Sequence, residues 1–176
     1  AILLMPFTGM AQDIFEKYND NSDVTYVSIK PKMFQMIANM GINVDDPEAK
    51  AYMDMVKSIT SFKTLVTDNK AISADITKWI KTRSTVLEEL MEVKDDGAEV
   101  KFYVKEGKDA NHVKELLIFV NGINKVMKES VEINGEQRRI ETVVVSLTGD
   151  INLNEISKLT DKMNIPGGKK IEKKRK

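Results

Sequence analysis

The sequence predicts a single α+β domain, in which a mainly antiparallel sheet of about five to six strands carries helices on one face. Its length of 176 residues suits one domain with one main core. Helical and strand patterns are partly segregated along the chain, which is typical of α+β proteins. Two Asn-Gly pairs between apolar runs in the second half indicate strands joined in a meander.

The first half predicts four helical segments, because apolar residues recur there three and four positions apart. Pro at a first turn, Asp before Pro, and Gly near an end supply start and stop signals. The segments are residues 13–18, 31–41, 46–59 and 72–97, of which the last is the longest. Runs of β-branched, aromatic or alternating residues predict strands at residues 24–29 and 60–67.

The second half predicts the meander. Val100, Phe102 and Val104 alternate with polar residues, which is typical of a strand with one face in water. A more continuous apolar run predicts a central strand over residues 112–120, and two further strands are expected within residues 125–148. Type I′ turns are predicted at Asn121-Gly122 and Asn134-Gly135. The sheet face away from the helices is expected to present Thr, Ser, Lys and Tyr.

The end of the chain predicts a last helix and a charged tail. Gly149-Asp150 is expected to end the last strand, and Asn152 with Glu155 forms a capping pattern for a helix reaching Met163. Residues 12–166 are the predicted domain and residues 167–176 a basic disordered tail. Lys169 to Lys176 holds six basic residues and one acidic residue, so it could touch anionic lipid head groups or simply remain solvated.

The first eleven residues are interpreted as the remnant of a secretory signal. Residues 1–7 are apolar and uncharged, and the small residues Gly9 and Ala11 form an A-x-A-like cleavage site before Gln12. The alternative is an N-terminal strand or apolar arm packed on the domain. If the signal is real, the mature protein is periplasmic or extracellular.

Composition disfavours several classes of function. The chain has 27 basic and 27 acidic residues, so its zero net charge gives no field that would draw it onto nucleic acid. It has no cysteine, which excludes disulfides, thiol nucleophiles and thiolate zinc sites in this sequence. No apolar run is long enough for a transmembrane helix.

Several separated segments resemble one protein family. They are EKYNDNSDVTYVSIKPKMF, DDPEAK, ELMEVKDDGAEVKFYVKE and VVVSLTGDINLNEISKL. They are similar to the Bacteroidetes proteins catalogued as domain of unknown function 4252, which are exported or lipid-anchored envelope proteins. The likeness covers residues 13–163 and implies an extracytoplasmic location, with no assigned activity and no catalytic residue. Two departures are the missing lipobox cysteine and a longer segment over residues 121–139.

Individual residues give weak signals for chemistry. His112 is the only histidine, so a catalytic triad or a histidine metal site would need it, but no accompanying motif is present. Asp45-Asp46 and Asp95-Asp96 could serve as acid and base or hold calcium, although caps and turns explain both pairs. Thr148, Gly149 and Asp150 could form a phosphate-binding turn, but the glycine-rich pattern is absent. No catalytic or metal-binding residue and no cofactor is predicted.

Methionines and aromatic residues leave further alternatives open. Met33, Met36 and Met40 share a helical face, and Met53 and Met55 follow on the next helix. Such thioethers could bind Cu(I), but methionine more often fills irregular core space. The remaining candidates could form a ligand platform if exposed, with core packing favoured for the tryptophan: Tyr26, Trp79 and Tyr103.

Three hypotheses for function follow from the sequence. The first is a non-enzymatic envelope module that binds an envelope protein or cell-surface component through the polar sheet face or the hairpin around Asn134-Gly135. The second is a hydrolase or transferase that uses carboxylates in a cleft. The third is a carrier that opens a methionine-rich core for a small apolar ligand.

Overall fold

The computed structural model describes residues 13–40, 47–126, 131–133 and 136–156. The helices are α1 (Ile14–Tyr18), α2 (Pro31–Met40), α3 (Pro47–Ser58), α4 (Lys70–Arg83) and α5 (Ile123–Val126). The strands are β1 (Val24–Ile29), β2 (Ile59–Thr67), β3 (Glu88–Asp95), β4 (Ala98–Glu106), β5 (His112–Asn121), β6 (Val131–Ile133), β7 (Glu136–Arg138) and β8 (Thr142–Asn152). Residues 153–156 form a further helical turn.

Six of the strands form one antiparallel sheet in the order β1-β2-β8-β5-β4-β3. The last strand, β8, lies between β2 and β5 and pairs with both. It therefore joins the β1–β2 pair to the β3–β4–β5 meander. The predicted α+β class and the antiparallel sheet of about six strands are confirmed.

One face of the sheet, here called the α4 face, carries the largest cluster of buried residues. Directly paired residues share a face, and the row Tyr26, Leu65, Val144 and Phe119 crosses four strands on this side. The helices α1 and α4 cover it with Ile14, Phe15, Ile72, Ile76 and Ile80, all buried. Burial of each such side chain stabilises the fold by about 1.5–3 kcal/mol.

The other face, here called the α2 face, is covered at one end by α2 and α3. Phe34, Ala38 and Val56 pack there against Ile29 and Phe62. Half-buried valine and isoleucine side chains continue across this face on β5 and β8: Ile118, Val120, Val143 and Val145.

The expectation of helices on one face and a polar opposite face is therefore wrong in that detail. The polar residues of β4 lie on the α4 face, where Lys101 pairs with Phe119 and Tyr103 with Leu117. The continuous apolar runs of β5 and β8 place apolar side chains on both faces, as expected for central strands covered on two sides.

The fourth predicted helix is wrong in its second half. The helix α4 ends at Arg83, and β3 occupies residues that were expected to be helical. Leu87, Leu90 and Met91 retain helical spacing although they lie in a turn and a strand. Asp96 and Gly97 have φ of 45° and 83°, so Asp-Gly forms the tight turn between β3 and β4.

The predicted strand boundaries after β5 also differ. Asn121 ends β5, and Gly122 with φ of 73° leads into α5, so this Asn-Gly pair does not close a hairpin. A strand was expected from residue 125, but β6 and β7 form a separate two-stranded sheet. Their pairing of Ile133 with Glu136 agrees with the predicted second hairpin, whose turn residues lie outside the described part.

The last strand passes through the predicted break at Gly149-Asp150 and ends at Asn152. The helical turn at 153–156 agrees with the predicted start of the final helix, because Asn154 N donates a hydrogen bond to Asn152 Oδ1. The rest of that helix, the signal-like residues, Asp45-Asp46 and the basic tail lie outside the described residues. In the described part of the chain, no helix has both the length and the apolar character needed to cross a membrane.

Candidate functional site

The most prominent surface feature is a group of exposed apolar side chains on α2. Met33, Met36, Ile37 and Met40 are 47%, 49%, 41% and 74% exposed. Their spacing of three, four and seven residues places them on one side of the helix. We call these four residues the methionine face.

Neighbouring residues of the same chain hold this face in position. Only Lys30 separates the end of β1 from Pro31, which starts α2, and Met33 N donates a 3.0 Å hydrogen bond to Lys30 O. Phe34 and Ala38, four residues apart, are buried against the sheet. Because they fix one side of the helix to the sheet, the methionine face points into solvent.

Such a surface suits binding through apolar contact. Four of the six large apolar side chains that are exposed in the described part of the chain belong to α2. The only charged residue within α2 is Lys32, at the start of the helix. Methionine side chains are flexible and polarizable, so they adapt to partner surfaces of varied shape. Clustered exposed apolar groups on a folded domain indicate an interaction site.

Several charged residues outside this face form ion pairs. On β3 and β4, Lys101 lies 2.9 Å from Glu99 and 3.0 Å from Glu92, and Lys94 lies 2.9 Å from Glu92. Hydrogen bonds from Lys94 and Lys101 lower the pKa of the Glu92 carboxyl to about 2. The hydrogen bond to Glu99 raises the pKa of Lys101 above its usual value. These groups stay ionised near neutral pH.

A second set of ion pairs attaches the helices to each other and to the sheet. Lys17 Nζ lies 2.7 Å from Asp75 Oδ2, and hydrogen bonds from Lys17 and Tyr18 lower the pKa of Asp75. On the α4 face, Arg83 Nη2 lies 2.6 Å from Glu115 Oε2. The lowered pKa of Asp75 places that carboxyl further from the range that suits a general acid at neutral pH.

His112 is the first residue of β5, directly after the turn that links β4 to β5. Its Nδ1 lies 2.8 Å from Asp109 Oδ1, which also accepts a 2.8 Å hydrogen bond from Asn111 N. The hydrogen bonds with His112 and Asn111 lower the pKa of Asp109. Within the residues that the structure describes, no group of three or more His, Cys, Asp or Glu side chains could hold a metal ion.

The other predicted polar candidates occupy structural positions. Asp95 ends β3 and Asp96 lies in the turn to β4, in agreement with the turn interpretation. Gly149 lies within β8, with Thr148 Oγ1 3.0 Å from Thr60 Oγ1 and Asp150 Oδ2 2.6 Å from Lys108 Nζ. This is a strand segment, so the turn proposed for phosphate binding is not formed.

The aromatic candidates pack in or against the core. Trp79 meets Phe15 edge-to-face with ring centroids 6.0 Å apart, and Arg83 Cζ lies 5.8 Å from the centroid of the Trp79 ring. Tyr103 is buried, and Tyr26 packs against the same cluster. The sequence-based preference for core packing of Trp79 is confirmed.

The five methionines of α2 and α3 do not gather in the core. The three on α2 are exposed, whereas Met55 on α3 is buried and Met53 is half-buried against the cluster around Phe34. From the sequence, methionine was expected to fill core space, so the exposed face was not predicted. The available signal was that apolar residues surround most of α2, more than one packed side can bury.

Comparison with known proteins gives one match. The family model described as "Domain of unknown function (DUF4252)" matches residues 18–159. No curated protein and no solved structure matches the chain. The matched span contains α2 with its methionine face and every strand of the six-stranded sheet. The resemblance noted from the sequence segments is confirmed at the level of the family, and the origin in Bacteroidetes stays a prediction. The chain belongs to the DUF4252 family.

Proposed function

We propose that this domain is an extracytoplasmic, non-enzymatic interaction module that contacts a partner protein through the methionine face. The observation that carries the proposal is the exposure of Met33, Met36, Ile37 and Met40 on a helix anchored to the sheet by Phe34 and Ala38. An apolar groove or an amphipathic helix on the partner would cover these four side chains.

Binding at the methionine face would gain free energy by removing apolar area from water. Burial of one large apolar side chain contributes about 1.5–3 kcal/mol. The four residues are 41–74% exposed, and this exposed area is available for burial by a partner. Because α2 is fixed by its buried side, little backbone ordering is needed when a partner binds. A preformed helix with flexible methionine tips combines low ordering cost with adaptable contact.

The extracytoplasmic location in this proposal is supported by sequence alone. Its basis is the apolar stretch at residues 1–7, the small residues Gly9 and Ala11, and the likeness to exported envelope proteins. A partner protein in the envelope is therefore the expected class. The first sequence-based hypothesis placed binding on a polar face of the sheet. The α2 face of the sheet carries apolar side chains instead, so the methionine face takes its place in this proposal.

The carboxylate-enzyme hypothesis finds less support than binding. General acid catalysis near neutral pH needs a carboxyl whose pKa is raised. The pKa values of Asp75, Glu92 and Asp109 are instead lowered by hydrogen bonds from Lys17, Lys94 and His112 respectively. These three carboxylates act in the structure as ion-pair and turn partners.

Site-specific photo-crosslinking in the producing cell tests the binding surface. A photoreactive amino acid is placed at Met36, and at Lys78 on the exposed side of α4 as the control position. We expect a discrete protein adduct from position 36 and none from position 78. The same adducts from both positions, or none from position 36, would contradict the proposal.

Two additions sharpen the experiment. Met40→Lys should abolish the adduct, whereas Val86→Lys, at a valine 66% exposed between α4 and β3, should leave it unchanged. N-terminal sequencing of the native protein from an envelope fraction should start near Gln12. Material recovered from the cytoplasm that still begins at or before Ala1 would contradict the proposed location.

A further inference from the structure

The two outer strands of the sheet differ in how they are protected. The edge strand β3 carries four acidic residues and one basic residue among eight, and its register with β4 is irregular between Glu89 and Met91. The edge strand β1 has the sequence VTYVSI, without a charge, a glycine or a proline. Charges and bulges are the usual devices that keep an edge from pairing with another chain. Only β3 has them.

The geometry of β1 suits the addition of another strand. Its pairing with β2 runs without a register shift from Val24 opposite Thr67 to Ile29 opposite Phe62. It is the terminal strand of the sheet, and in the described residues its outer side has no strand partner. Val27 is 44% exposed. At about 3.4 Å per residue, the free edge is about 20 Å long.

We propose that β1 pairs antiparallel with β1 of a second copy of this chain, so that two six-stranded sheets become one continuous sheet about a two-fold axis. This contact goes beyond the proposed partner binding by α2 and is carried by a different element. Backbone hydrogen bonds along β1 supply the attraction.

The composition of β1 favours a second copy as the occupant. A two-fold axis brings a strand against itself, and like charges opposite each other destabilise a strand pair. The strand β1 has no charge to repel, and its Val, Thr, Tyr and Ile side chains have high β-propensity. The same operation at β3 would bring two sets of four acidic residues together.

The size of the contact sets its expected strength. A standard stable interface buries about 800 Å² from each partner, which is more than one strand of this length provides. We therefore expect a reversible dimer with a Kd of about 1–100 µM, in the range of small transient interfaces. Sedimentation velocity of the full chain from 1 to about 500 µM should show a monomer that converts to a dimer.

Matched variants test which edge is used. Val27→Lys places a charge on each copy at the proposed contact and should weaken dimerisation at least about tenfold, a loss of 1.4 kcal/mol. Val86→Lys makes the same change at another exposed valine beside the opposite edge and should leave the Kd unchanged. Circular dichroism of both variants verifies that each remains folded.

Distances between copies give a second readout. The chain has no cysteine, so single spin labels can be placed at Val27→Cys and Val86→Cys without a background. In the proposed dimer the labels at 27 lie within about 20 Å of each other. The joined sheet has twelve strands about 4.8 Å apart, and the labels at 86 lie beside its two outer edges, so they are separated by more than about 40 Å.

Three results would overturn the proposal. They are a monomer at every concentration, a dimer unaffected by Val27→Lys, and a short distance between the labels at 86. The crosslink from Met36 to a different protein is independent of these three outcomes, since the adduct mass identifies its partner.

Discussion

Gly149 lies at a point of close contact between β8 and the junction of α3 with β2. Its φ is +148°, a backbone conformation that is almost restricted to glycine. A Cβ atom at this position would overlap the carbonyl oxygen of Ser58 and lie 2.9 Å from Ile59 Cα. Ser58 Oγ donates a 2.6 Å hydrogen bond to Asp150 O, which ties the two segments together. Gly149→Ala should therefore be strongly destabilising.

The expected magnitude has two parts. A non-glycine residue in so unfavourable a backbone conformation costs about 1–3 kcal/mol. Overpacking against a backbone that cannot easily move adds about 1–3 kcal/mol. Together they lower the free energy of unfolding by about 2–6 kcal/mol, a large fraction of the 5–15 kcal/mol typical of a domain.

Gly97→Ala is the matched control. Gly97 also has positive φ, at 83°, but the atom nearest to an added Cβ is Lys125 Cδ at 3.0 Å, in a flexible side chain. Only the conformational cost of about 1–2 kcal/mol is expected there. Urea unfolding at 25 °C, monitored by the fluorescence of Trp79, gives the free energy of unfolding of each variant, and the two values can be compared if the m-values agree. Equal destabilisation by the two substitutions would refute the steric argument.

Two further predictions concern an ion pair and a buried hydroxyl. Because the fold lowers the pKa of Glu92 from 4.5 to about 2, its stabilising contribution is fully present above pH 4.5 and is lost as the pH falls toward 2. The difference in urea midpoint between the wild type and Glu92→Gln should shrink over that interval and in 1 M salt, and a constant difference would contradict the assignment. Thr142 Oγ1 is buried, donates a 2.8 Å hydrogen bond to Asn121 Oδ1 and lies 2.5 Å from Ser73 Oγ. Thr142→Val should lower the free energy of unfolding by about 1–3 kcal/mol, whereas Thr142→Ser, which keeps the hydroxyl, should lower it less.

Elements with strong local signals were predicted well from the sequence. The strand β1 follows from its β-branched and aromatic run, and Pro31 marks the start of α2 two residues after Ile29. The strand β3 was missed because Leu87, Leu90 and Met91 continue the helical spacing of α4 by coincidence. The Asp96-Gly97 pair was the better signal, since a tight turn there requires two flanking strands.

Long-range packing explains what the sequence could not predict. Apolar residues surround most of α2, and only its contact with the sheet decides that Phe34 is buried while Met36 is exposed. The coverage of both sheet faces likewise depends on where α2 and α3 dock. Asn121-Gly122 carries the same local turn signal as Asn134-Gly135, yet in the fold it leads into α5. The export signal stays a prediction.

The position of β8 between β2 and β5 has a consequence for how the domain forms during synthesis. The strands β1 and β2 emerge early and β3 to β5 follow, but neither group touches the other in the sheet until the final strand arrives. Because β8 follows the other five strands of this sheet in the chain, the nascent polypeptide consists of two unjoined portions until residues Thr142–Asn152 are made. The chain must therefore emerge from the ribosome through Asn152 before cooperative folding of the sheet begins, and stop codons upstream of Thr142 should yield products that proteases remove rapidly.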